Sequence, residues 1–120
     1  MDLNEKIKGL LKNSTGLPVQ QDEYTGKETS YIVFVYEDES PEYSADNQVQ
    51  ADRAWLLIKL ITPKNYNYMK LKHKIRNGLE NADFIVTSIS SFLGDVYMGT
   101  EKQRTTVFQV EYVEQRNGGK

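Results

Sequence analysis

The segment YEDESPEYSAD, residues 36–46, carries five carboxylates in eleven residues, with a proline and two tyrosines among them. Carboxylates at this density can hold a divalent cation or divide acid and base roles between them. A calcium loop needs oxygens at positions one, three, five and twelve and a glycine at six. Counting from Asp38, position six is Tyr43 and position twelve is Val49; counting from Glu37, position five is Pro41. The spacing fails in both registers. Acid–base work needs a pocket that separates two pKa values. Glu37, Asp38 and Glu39 are consecutive, so an extended chain turns them to alternating sides, and a polar loop desolvates them too little for a large shift.

Other chemistry is scarcer. His73 is the single histidine and lies among lysines, where a solvated role is expected. Cysteine is absent, which removes thiolate chemistry and disulfides and fits a reducing compartment. No nucleophile-elbow spacing occurs. Gly26 and Lys27 are not a phosphate loop, because Gln21 stands where the first glycine belongs. The search leaves no catalytic residue, no cofactor site and no metal site. A small enzyme with an acidic site remains a rival reading, and a divalent ion bound at residues 37–46 would support it.

Charge is segregated beneath a net value of −2. From Glu28 to Asp52 there are seven acids and no Lys or Arg; from Arg53 to Ala82 there are seven basic residues and the single acid Glu80. Lys64, Lys70, Lys72, Lys74 and Arg76 could contact phosphates, in a salt-sensitive and sequence-blind way. The pI of about 5.4 argues against a dedicated nucleic-acid binder. A third use joins both blocks, the acidic segment of one copy meeting the basic helix of the next. Eight tyrosines suit either interfaces or strand ends.

The elements that position these residues follow from periodicity. Asp2 and Glu5 have capping-box spacing, and Leu3, Ile7, Leu10 and Leu11 then share one helical face. Residues 13–16 end that helix, and Pro18 forbids its resumption. Residues 17–21 are extended, residues 25–26 a turn, and residues 30–37 a strand apolar on both sides. An acidic loop precedes a strand over 49–62, in which Leu56, Ile58 and Leu60 face the core. Arg53, Trp55, Lys59 and Ile61 take a partly covered side.

A second helix opens after Pro63 and Asn65 and buries Tyr68, Leu71, Ile75 and Leu79. Strands over 84–92 and 104–114 flank a loop at 94–103. Strands that follow one another without intervening helices predict an α+β fold, a mainly antiparallel sheet of four to five strands with two helices packed on one face. The chain reads as one domain, residues 1–114, with a disordered tail at 115–120. No apolar run reaches the roughly 20 residues of a membrane span, and the start is charged and amphipathic, unlike a signal peptide. A soluble protein of a cytoplasm is expected, with no membrane partner.

Taken in order, the leading helix, TGLPV at 15–19, YTGK at 24–27, YIVF at 31–34, the acidic segment, its following strand and the helix of residues 66–79 resemble a known family. It is the tail-completion family of long-tailed bacteriophages and Gram-positive prophages, also called tail terminators or tail-to-head joining proteins. The resemblance spans residues 3–113, and Asp95, Tyr97 and Thr100 resemble the loop before the last strand. The sequence departs at Asn81–Asp83, where relatives often carry Gly, and in a less acidic loop at Met98 and Gly99.

The resemblance implies a hexameric ring that caps the tail tube in the virion neck and docks on the head connector, with DNA passing through without sequence recognition. Its subunits, made in the bacterial host cytoplasm, can be monomers before assembly. It implies no active site. The expected contact residues are Glu37, Asp38, Glu39, Glu42, Tyr43 and Asp46 in the acidic segment, and Asp95 and Tyr97 in the second loop. Lys70 and Lys74 on the helix are the complementary side.

Overall fold

The computed structural model describes residues 3–43, 49–98 and 101–115. In chain order these form α1 (Leu3–Thr15), β1 (Val19–Gln21), β2 (Tyr31–Tyr43), β3 (Val49–Pro63), α2 (Tyr68–Asn81), β4 (Ile85–Met98) and β5 (Glu101–Gln115). The five strands make one sheet in the order β1-β2-β3-β5-β4. The fold is α+β, as expected, and the sheet is mixed. β1 runs parallel to β2, while β2–β3, β3–β5 and β5–β4 are antiparallel. The parallel pair arises because the extended piece after Pro18 pairs at Ile32–Phe34, through a short crossover, instead of forming a hairpin.

Alternation along the strands decides the core. Ile32 and Phe34 of β2, Leu56, Ile58 and Leu60 of β3, and Phe108 and Val110 of β5 are all at most 1% exposed. Ile7 and Leu11 of α1 and Leu71, Ile75 and Leu79 of α2 join them in one buried cluster. The expected inward residues of β3 pack there, with Leu3 and Leu10 partly buried against the cluster. Tyr68, expected in the buried stripe of α2, is only half-buried and lies outside it, beside Arg104. His73 is exposed on α2.

Helix ends obey local rules. Gly16 takes φ +73°, and its N–H donates to the Lys12 carbonyl at 2.7 Å, closing α1. Thr15 Oγ1 donates to the Leu11 carbonyl and accepts from the Leu17 N–H, which fixes the exit toward Pro18. Asp2, half of the expected capping box, lies outside the described residues. At the end of α2, the Phe84 N–H donates to Leu79 O at 2.9 Å and the Asp83 N–H to Glu80 O at 3.2 Å. This is the Schellman pairing, and Asp83 occupies its left-handed position at φ 70°. An L side chain there carries a steric cost that glycine lacks. Asp83→Gly is expected to stabilise the fold by about 0.5 kcal/mol, and Asp83→Val to destabilise it by about 1–2 kcal/mol. Thermal melts of the two variants check the sign.

Two sequence expectations need correction. Residues 36–46 were expected to be a loop, yet β2 continues through Tyr43 and pairs with β3 down to Val49. The loop at 94–103 is likewise mostly strand, because β4 runs to Met98 and β5 starts at Glu101. Polar composition suggested loops, but a ladder partner satisfies the backbone whatever the side chains. Among the described residues, the outer edge of β2 has no strand partner beyond Phe34, and charges with a proline are the usual protection for such an edge. A register shift between Tyr36 and Asp38 leaves Glu37 as the extra, bulged residue. Gln115, expected in the tail, pairs with Ala51; the rest of that tail lies outside the described residues.

Continuing these strands lengthens the molecule. β3 and β5 each have 15 residues, or about 50 Å at roughly 3.3 Å per residue. The extents are 57 × 24 × 24 Å and the radius of gyration 16.0 Å. A compact chain of this length would have a radius near about 14 Å.

Candidate functional site

The ladder registers place the expected contact residues at opposite ends of the sheet. The β2–β3 hairpin tip lies beyond the Tyr43–Val49 pair, and β5 reaches that end at Gln115. The β4–β5 tip lies beyond the Met98–Glu101 pair, past the point where Gln103 meets Pro63. Glu37, Asp38, Glu39, Glu42 and Tyr43 therefore lie on one arm, and Asp95 and Tyr97 belong to the other. Asp46 lies outside the described residues. Asp95 falls in the register shift between Leu93 and Tyr97.

Lys70 and Lys74 are exposed on α2, apart from both arms in sequence and element. Arg76 pairs with Glu80 one turn on, at 3.5 Å between exposed side chains, a contact worth little in water. Among the described residues no group of three His, Asp or Glu side chains converges where a metal could sit. Among the same residues, no helix is long and apolar enough to cross a membrane.

The acidic arm is anchored at its base by aromatic and charged contacts. Tyr36 donates its hydroxyl to Asn4 Oδ1, and Asn4 Nδ2 donates to Gln21 Oε1 at 3.2 Å, joining β2, α1 and β1. Lys6 Nζ donates to the Tyr112 hydroxyl at 2.9 Å and lies 4.6 Å from that ring's centre, while Phe84 packs on Tyr112. On the opposite face Arg53 pairs with Glu111 beside Trp55. These contacts tie the arm's root to the core.

The face of the sheet opposite the buried cluster is not uniformly open. The segment between β1 and β2 covers one end of it, where Gln103 Nε2 donates to the Thr29 carbonyl at 3.0 Å and Gln103 is only 1% exposed. Tyr24 stacks on Tyr31, with ring centres 4.1 Å apart and planes 13° from parallel. Burial, and secondarily the charge of Tyr24, raises the Tyr31 phenol above its ordinary value. The Glu28 N–H donates to the Tyr24 hydroxyl at 2.9 Å, closing the ring over Gly26. Between this stack and Phe92 of β4 lies a groove of about 340 Å³, with Val33, Lys59, Ile61 and Val107 in its lining. Phe92 is 50% exposed.

Sequence reasoning placed Lys59 on a partly covered side but missed the groove. The available signal was a lone lysine inside an apolar strand, together with YTGK ahead of Tyr31. Nothing in the sequence places Phe92 across from Tyr24, since that proximity depends on the strand order.

The architecture recurs among solved structures. One solved chain superposes with a TM-score of 0.56 over 95% of this chain and 91% of its own length, at 14% identity. At that identity the likeness defines the class of fold, a long-stranded α+β sheet with two helices, and nothing further. No protein-family model and no curated protein matches the sequence.

Proposed function

We propose that this protein is a non-enzymatic virion assembly subunit that caps a phage tail tube as a ring and joins the tail to the head connector. The observation that supports it most is the pair of unlike ends. A ring subunit needs two different patches that mate head to tail, and here an acidic arm and a second, differently charged hairpin leave the sheet in opposite directions. The family resemblance supplies the ring, a hexamer, and its partners: the tail tube protein, the connector proteins and DNA passing through. The place of action is the tail neck, after assembly in the bacterial host cytoplasm.

The reading is tested on tails assembled with and without the protein and viewed in negative stain. Overlong or uncapped tubes are expected in its absence. The triple variant Glu37→Lys, Asp38→Lys, Glu39→Lys is expected to abolish ring formation and capping while remaining folded. Normal tails without the protein would overturn the reading, and normal capping by the variant would remove charge steering from it.

The exposed Lys70, Lys74 and Arg76 of α2 favour one second reading, a nucleic-acid-binding accessory protein. Binding to random DNA at low salt that disappears in Lys70→Ala, Lys74→Ala, together with unaffected tails, would select it.

A further inference from the structure

Lys59 of β3 lines the groove on the sheet face opposite the buried cluster. Aromatic rings bound that groove on both sides, Tyr24 and Tyr31 at one wall and Phe92 at the other. Among the described residues Lys59 has no ion pair, and Asp22, which also lines the groove, makes none with it. An ammonium group between apolar walls attracts an anion, because its field is less screened there than on an open surface. The groove is open, so an incoming chain can reach it.

Among the described residues the chain's own acidic arm makes no ion pair with Lys59. The groove floor is at Lys59 and Ile61, whereas the arm pairs with β3 between Val49 and Trp55. Along β3, the partner of Asp38 (Trp55) is about 13 Å from Lys59 and the partner of Tyr43 (Val49) about 33 Å. The arm does have the form of a donor element. It extends past the end of the β1 pairing at Phe34, so among the described residues one edge of β2 has no strand partner over residues 35–43. Its sequence there includes Glu37, Asp38, Glu39 and Glu42, and no basic residue.

We propose that the acidic β2–β3 arm of a second copy of this chain docks in the Lys59 groove, with a carboxylate on the Lys59 ammonium. This rests on the ring-subunit reading and names the surfaces that mate. Lys59 thereby replaces Lys70 and Lys74 as the acceptor of the acidic segment. Donor edge and acceptor groove are two different surfaces of the chain, so the contact is head to tail. Every copy gives an arm and receives one, which closes a ring or continues as a filament.

A charge swap tests the pairing in the full-length protein. Lys59→Glu alone sets an acidic arm against an acidic groove. Glu37→Lys, Asp38→Lys, Glu39→Lys alone sets a basic arm against a basic groove. Mixing the two variants restores opposite charges at both kinds of contact. Self-association is followed by sedimentation and by concentration-dependent NMR shifts up to millimolar protein, with circular dichroism as the check on folding.

Each variant is expected to self-associate at least about tenfold more weakly than the parent, and the equimolar mixture to recover most of that loss. Lys59→Met, which keeps the apolar stem, is expected to weaken association without the mixture's rescue. A parent protein that stays monomeric with unmoved groove resonances would overturn the proposal. So would Lys59→Glu associating like the parent, or two folded variants that fail to complement. Association through another surface with tails still capped would remove this contact and leave the ring reading standing. Complementation with normal tails in the protein's absence would do the reverse.

Discussion

Phe108→Ala is expected to lose about 3–5 kcal/mol of folding stability, a large share of the roughly 5–15 kcal/mol that holds such a domain together. Phe108 is 0% exposed on β5, the strand between β3 and β4, with Ile58 and Ile89 as its ladder neighbours. It belongs to the cluster that receives side chains from both helices. Removing the ring leaves a cavity that a sheet pinned on two sides cannot collapse around, so transfer and cavity costs add. Urea unfolding should show a lower midpoint with an unchanged slope. Val107→Ala, one residue away on the opposite face of the sheet, should cost only about 1 kcal/mol or less, because Val107 lines an open groove. Equal losses at the two positions would mean that the helices do not define the principal core.

The second large effect is expected at Gly26. A Cβ there would overlap the ring and hydroxyl of Tyr24, so Gly26→Ala must push Tyr24 out of place. That breaks the stack on Tyr31 and the hydrogen bond from the Glu28 N–H. The expected cost is about 1–3 kcal/mol of stability, together with loss of one wall of the Lys59 groove and weaker self-association. Space rather than backbone strain sets this requirement, and a double-mutant cycle can separate the two. Once Tyr24 is Ala, Gly26→Ala should cost almost nothing. If the full penalty persists in the Tyr24→Ala background, the backbone at residue 26 is responsible.

Gly26 also shows how far sequence reading reaches. YTGK looked like a turn with a phosphate loop excluded; the structure has a bend at Gly26 there. The reason for the glycine is a tyrosine two residues earlier that folds back over it, which turn chemistry alone does not reveal. Asp83 is the converse. Its left-handed φ of 70° puts a steric cost on a residue that nothing local in the sequence marks.

The two helices, most of their buried stripes and the inward residues of β3 were determined by the sequence alone, because period 3.6 and period 2 are local signals. Charge segregation was equally plain, and so was the failure of residues 36–46 to match a cation loop. Tertiary structure decided the rest. Acidic residues 37–43 are strand and not loop because β3 supplies their hydrogen-bond partners from across the hairpin. Likewise, β1 is parallel because its partner lies beyond a crossover, and Phe92 faces Tyr24 because β4 and β5 pair outside β3. Such pairings join residues far apart in the chain, and local propensity carries no information about which distant strand will be the neighbour. The acidic segment was legible as a charge; its place as a strand paired with β3 between Val49 and Trp55 came only from the register of the sheet.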